Sequence, residues 1–266
     1  MQKFVHKHSL GQNFLTDKKV LMNIIDSVDV KEDDLIIEIG PGQGALTKYL
    51  KLFNSYLVCY EVDVRVKKYL DQYVDSKTKI IFGDFLKADI KNDIDVFNYN
   101  RIFIIANLPY YITTPIIEKI INDRINVCEM VLMVQNEVAD RLSAEPGSKD
   151  YGSISVLLSY YYDIKKLFFV DRKCFNPVPN VDSAVVKFTR RELDSSCDYD
   201  KLKTFVRDAF GMKRKNLRNN LKKYNLDIIS NVLEKYDLNL QCRAEEVPLE
   251  CFIEIVNILG DKNDKK

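Results

Sequence analysis

The sequence predicts an α/β fold: a sheet with helices on both faces, followed by a small all-helical C-terminal domain. Three observations predict it. Apolar runs of strand length recur at 35–39, 56–60, 79–82, 101–106 and 127–134, with helical stretches following the first and the fourth. The first of these runs passes directly into Gly40-Pro41-Gly42-Gln43-Gly44 and then a helix, the opening βα unit of a nucleotide-binding sheet. Beyond Tyr199 the strand signals stop and only amphipathic helical stripes follow.

In chain order, residues 3–11 form a basic, polar arm. It holds the only two histidines, His6 and His8, whose H-x-H spacing lacks a third metal ligand. Thr16 or Asp17 is expected to cap a helix with apolar positions Val20, Leu21, Ile24, Ile25 and Val28. The glycine turn reads G-x-G-x-G, not G-x-G-x-x-G, which argues against a dinucleotide. Gly40 and Gly42 let the backbone approach a ligand closely. Glu61 ends the next strand about twenty residues on, where an acid meets ribose hydroxyls; the alternative is a solvated acid at a strand end. After the third strand, Asp84 can accept from an adenine amine while Phe85 packs the ring; Asp84 can equally cap the following turn, and both can hold at once.

The fourth strand stops at Asn107-Leu108-Pro109-Tyr110. Pro109 ends the ladder and biases Leu108 toward an extended or turn geometry. A carboxamide, a main-chain carbonyl and an aromatic face thus arrive at the carboxyl edge of the sheet, groups suited to an amino-bearing base; the alternative is an ordinary proline turn. Thr113 or Thr114 is expected to cap the next helix, with Pro115 at its first position. A helix from 135 to 142, a polar loop at 145–153, an apolar segment at 154–158 and strands at 164–170 and 181–189 follow. Between these strands, Phe175-Asn176-Pro177-Val178-Pro179-Asn180-Val181-Asp182-Ser183 mounts Phe175 on a proline-stiffened loop, where it either faces a ligand or plugs the core below.

Residues 190–199 read as a linker, dividing the chain into domains 1–192 and 199–266. Leu202, Phe205, Val206 and Phe210 form a helical stripe. The stretch from Gly211 to Lys223 holds Lys213, Arg214, Lys215, Arg218 and Lys222 and no acid, with Leu217 and Leu221 facing inward. Solvated helix faces normally mix both signs, so this basic patch suits phosphates. Two further helices are expected at 228–236 and 248–259, then a frayed tail at 261–266.

Composition sets outer limits. The chain has 266 residues, 46% hydrophobic and 30% charged, with net charge +1, so bulk charge announces no nucleic-acid partner and only the local distribution does. No apolar run spans a bilayer and no signal-peptide core is present, so a cytoplasmic protein with no membrane partner is expected. The six cysteines form no C-x-x-C pair and read as free thiols rather than disulfides or a metal site.

Taken together, Leu10-Gly11-Gln12-Asn13-Phe14-Leu15, Glu38-Ile39-Gly40-Pro41-Gly42-Gln43-Gly44, Glu61, Gly83-Asp84, Asn107-Leu108-Pro109-Tyr110 and the Phe175 loop occur in an order and spacing that resembles the S-adenosylmethionine-dependent ribosomal RNA adenine N6-dimethyltransferases. The resemblance covers nearly the whole chain. It implies a Rossmann-like class I methyltransferase sheet, with S-adenosylmethionine held by Asn13, Leu15, Gly40 and the glycine turn, Glu61, Asp84 and Asn107. It also implies a catalytic rim of Asn107, Leu108, Pro109, Tyr110 and Phe175, the two rings sandwiching an unstacked adenine. The segment 213–221, Leu10-Gly11-Gln12 and Arg243-Ala244-Glu245-Glu246 look like the branch that dimethylates two adjacent adenosines in the 3′-terminal hairpin of small-subunit rRNA during ribosome biogenesis. The implied partner is that rRNA within an immature 30S-type subunit, with the enzyme acting as a monomer and without metal. Three alternatives stand beside it: a large-subunit rRNA dimethyltransferase of the macrolide-resistance type, a non-catalytic assembly factor, and a DNA adenine methyltransferase.

Overall fold

The computed structural model describes residues 13–109, 112–192 and 197–263. His6, His8, Tyr110 and the expected motif Leu10-Gly11-Gln12 lie outside the described residues.

The elements run β1 (Phe14–Leu15), α1 (Lys18–Ile25), β2 (Leu35–Ile39), α2 (Thr47–Leu50), β3 (Tyr56–Glu61), α3 (Lys67–Leu70), β4 (Thr78–Phe82), α4 (Ile90–Ile94), β5 (Ile102–Asn107), α5 (Thr113–Asn122) and β6 (Val127–Gln135). Then follow α6 (Asn136–Leu142), α7 (Ser153–Ser159), β7 (Tyr162–Val170), β8 (Phe175–Asn176), β9 (Ser183–Arg190), α8 (Tyr199–Ala209), α9 (Leu217–Asn220), α10 (Leu226–Glu234) and α11 (Leu249–Asn263).

Among the described residues the main sheet has the strand order β4-β3-β2-β5-β6-β9-β7. The pairs from β4 through β6 are parallel, whereas β9 runs antiparallel to β6. β2 and β5 are buried nearly end to end, as parallel strands covered on both faces require. The strand order reverses between these two, so their carboxyl ends flank the crevice where open α/β sheets take ligands. One face of the sheet packs Ile36, Phe103, Ile105, Val131 and Val185 against Leu21, Ile24 and Ile25 of α1. Asp17 starts α1 by accepting from the amides of Lys19 and Val20, which resolves the choice between Thr16 and Asp17.

Several boundaries differ from the expectation. α5 begins at Thr113 without a side-chain cap, so Pro115 is its third residue, not its first; the amides of the first turn have no intrahelical acceptor, so the missing N–H costs nothing there. The strands expected at 164–170 and 181–189 are 162–170 and 183–190, because the proline-stiffened loop runs two residues further. α11 continues to Asn263, past the expected start of the tail.

The chain divides into two compact units, one of residues 1–139 with 165–190 and the other of 140–164 with 191–266. The expected single cut after 192 therefore misplaces 140–164. The reason is packing: Tyr151, Val156, Leu157 and Tyr160 share a buried cluster with Phe205, Val232, Leu233 and Phe252. All six cysteines are free thiols, Cys59, Cys197 and Cys251 being buried. Among the described residues no helix is long and apolar enough to cross a membrane.

Candidate active site

At the β2–β5 switch point lies a cavity of about 290 Å³. Its walls come from the strand ends that the sequence singled out: Asn13 and Leu15, Gly40 and Gly42, Glu61, Asp84 and Phe85, then Asn107, Leu108, Pro109 and Phe175. The sheet topology alone explains this gathering, since each group follows the carboxyl end of a strand or belongs to the short β1–β8 ladder.

The glycine turn is held open by its backbone. Gly42 has φ +57°, and a Cβ there would lie 2.5 Å from the Phe14 ring, so both conformation and space call for glycine. Gly40 has φ +71°, and a Cβ there would lie 4.0 Å from the main-chain oxygen of Asn107, so the turn and the Asn-Leu-Pro rim are neighbours in the wall of one cavity.

Glu61 departs from the solvated-acid alternative. It is buried; Oε2 accepts from Gly42 N at 2.9 Å and Oε1 from Asp63 N at 2.8 Å. Burial raises its pKa, opposed by those amide bonds. Each oxygen keeps a further lone pair for a ligand hydroxyl. Asp84 does cap the turn after β4, accepting from Leu86 N at 3.0 Å through Oδ1, while also lining the cavity. Phe85 is buried and meets Tyr60 edge-on at 5.1 Å.

Asn107 ends β5 half-buried, and its Nδ2 donates to Asn13 O at 3.3 Å. The Leu108 amide donates to Met133 O at 3.3 Å, and the Ile112 amide to Pro109 O at 3.1 Å. Phe175 is only 3% exposed and joins the core under α1, yet one side of it faces the cavity. It therefore packs into the core and borders the cavity at once.

Among the wall residues given no role from sequence, Phe14 and Glu38 stand out. Phe14 leaves no signal beyond being aromatic. Glu38 left one: a carboxylate inside an otherwise apolar strand. It is 1% exposed, its Oε2 accepts from Thr47 Oγ1 at 2.7 Å, and burial pushes its pKa up to about 7. The described lining holds Glu38, Glu61 and Asp84 and no Lys, Arg or His. Such a wall disfavours phosphates and favours a cationic or neutral hydroxyl-bearing ligand. The residues thus fit an adenosyl sulfonium: acids for its charge and ribose, glycine backbone for close approach, apolar surface for the base.

The helical unit carries the basic stretch. Lys213, Arg214, Lys215, Arg218 and Lys222 are exposed, while Leu217 and Leu221 are buried as expected. The stretch is not one helix, however. Only Arg218 of the five lies in α9, which spans four residues; Asn216 caps it and halts any longer helix. Lys223 is taken up by Asp208 at 2.9 Å. The five cations have no carboxylate partner among the described residues.

Comparison with known proteins points to one family. Residues 3–261 match the family model described as ribosomal RNA adenine dimethylase. A protein of Geobacillus sp. (strain WCH70) named ribosomal RNA small subunit methyltransferase A is 40% identical over 96% of this chain and 92% of its own length. One of the same name from Streptococcus thermophilus (strain ATCC BAA-250 / LMG 18311) is 43% identical over 82% of this chain and 77% of its own. The crystal structure of a dimethyladenosine transferase from Plasmodium falciparum superposes with a TM-score of 0.78 at 26% identity, covering 94% of this chain and 98% of that one. The chain belongs to the ribosomal RNA adenine dimethylase family.

Proposed function

We propose that this protein transfers methyl groups from S-adenosylmethionine to N6 of two adjacent adenosines in the 3′-terminal hairpin of small-subunit rRNA, in the immature subunit. The observation that carries the reading is that the Asn107-Leu108 rim and the glycine turn line one cavity whose described walls hold acidic but no basic side chains. The small-subunit target is favoured by relatives at 38–43% identity that carry that name.

Bound there, S-adenosylmethionine supplies an electrophilic methyl group on a sulfonium. Glu61 accepts from the ribose hydroxyls on lone pairs left by Gly42 and Asp63. Asp84 accepts from the cofactor's adenine amine through the oxygen not used on Leu86. The target N6 is a poor nucleophile because its lone pair is delocalised into the ring. Asn107 Oδ1 and the Leu108 carbonyl accept hydrogen bonds from its N–H groups, turn the nitrogen toward the methyl and stabilise the charge that develops as the bond to N6 forms and the methyl's bond to sulfur breaks, the surplus N6 proton then passing to water. Tyr110 and Phe175 stack on the extruded base, each such contact worth roughly 1–3 kcal/mol. A monomethylated nitrogen keeps one hydrogen, so the same rim serves the second transfer. Lys213, Arg214, Lys215, Arg218 and Lys222 take the phosphates around the target. The protein works as a monomer, without metal, in the cytoplasm.

The test is to incubate the purified chain with methyl-labelled cofactor and, in parallel, unmodified small and large subunits, then digest the rRNA and map N6,N6-dimethyladenosine by mass spectrometry. Two adjacent modified adenosines in the 3′ hairpin are expected. Label in large-subunit rRNA would move the assignment to the resistance-type activity, and absence of label would make the chain a non-catalytic factor.

A further inference from the structure

Residues 13–16 form a strap that ties three walls of the cavity together. Phe14 fills the space beside Gly42. Leu15 pairs with Phe175 across the β1–β8 ladder. Thr16 closes the strap, since its amide and its Oγ1 both donate to Cys174 O, at 2.8 and 3.0 Å. At the other end, Asn13 O accepts from Asn107 Nδ2 at 3.3 Å.

That last bond decides which way the carboxamide points. A primary amide carries its donor and its acceptor on opposite branches of one planar carbon, so engaging the nitrogen fixes the oxygen. Among the described residues no donor reaches Asn107 Oδ1. The oxygen is therefore left as an acceptor. Released from Asn13, the amide can turn over and set an N–H against the amine of an incoming base, donor against donor.

We infer that the strap is a positioning element for Asn107, and that Thr16, which lines no part of the cavity, is the residue that sets it. The inference rests on the role given to Asn107 in the proposed function. It assigns to the strap a task separate from cofactor contact, namely selecting the carboxamide rotamer that accepts.

Thr16→Val keeps the shape of the side chain and removes only the hydroxyl bond; Thr16→Ser restores it. Two readouts are taken on the full chain. In protein labelled with ¹⁵N-asparagine, the Asn107 side-chain amide, assigned by its loss in Asn107→Ala, reports the bond to Asn13 without any substrate. Its hydrogen exchange is expected to speed up about tenfold in Thr16→Val and to return in Thr16→Ser. Turnover on rRNA is expected to follow, kcat falling about tenfold in Thr16→Val with KM for S-adenosylmethionine within about threefold, and recovering in Thr16→Ser. Unchanged exchange and unchanged kcat would overturn the inference. So would a rise in KM for the cofactor alone, which would make the strap a cofactor contact only. If the parent methylates no rRNA, the proposed function fails, while the exchange measurement still decides whether the strap holds the carboxamide.

Discussion

The Gly42 amide donates to Glu61 Oε2 at 2.9 Å, so the glycine turn and the end of β3 are joined inside the cavity wall. Glu61 thus has two tasks: it holds the turn and it offers lone pairs to a ligand. Glu61→Ala is expected to weaken S-adenosylmethionine binding about 10- to 100-fold by calorimetry and to lower the unfolding free energy by about 1–3 kcal/mol, since the Gly42 and Asp63 amides lose their acceptor. Unaltered affinity together with lowered stability would confine Glu61 to the structural task.

Glu38 gives the fold a pH dependence. Its carboxyl titrates at about 7 in the folded chain, because of burial, against 4.5 ordinarily. The folded state holds the proton more tightly, so its contribution is complete below about pH 4.5 and is lost as pH rises through about 7. Glu38→Gln cannot titrate. Relative to that variant, the parent is expected to lose up to about 3 kcal/mol between the two ends of this window, measured by urea unfolding across pH. Parallel curves for parent and variant would show that Glu38 is already ionised when folded.

Asn107→Ala is expected to cut methyl transfer about 100- to 1,000-fold, as removing one donor or acceptor aimed at developing charge does elsewhere. Cofactor affinity is expected to stay within about threefold. Single-turnover kinetics and calorimetry on the same preparation check both. An affinity that falls in step with turnover would make Asn107 a cofactor contact.

Reversing charge at Lys215 and Arg218, both exposed and without ion pairs among the described residues, is expected to weaken binding to small subunits. The plot of log affinity against log salt is expected to flatten by about 0.7–0.9 for each phosphate that the variant no longer neutralises. A slope equal to the parent's would remove this surface from the RNA interface.

Much of the site was legible because its chemistry sits at strand ends, and strand ends are marked. Gly40 and Gly42, Glu61, Asp84 and Asn107 each follow an apolar run, so the sheet's topology gathers them without further information. Residues whose role depends on a partner distant in sequence were not legible. Nothing local shows that Phe14 lies against Gly42, or that Thr16 bonds Cys174, because each contact is made only when β1 meets the turn or β8. The spacing of Leu217 and Leu221 is that of a helix, yet Asn216 caps α9 and the helix spans only 217–220, so the basic stretch is not one helix. The inclusion of 140–164 in the second unit was hidden because only the polar stretch at 190–199 carries a linker signal in the sequence, and the earlier departure of the chain carries none.

That earlier departure has a consequence for synthesis. Tyr151, Val156, Leu157 and Tyr160 are made well before Phe205, Val232 and Phe252, which bury them. β7 and β9 come between these side chains and the later members of the cluster in chain order. A stop codon near 192, or a fragment starting at 199, would leave half of a greasy seam bare, so the helical part is not a cassette to be excised or grafted by a single cut.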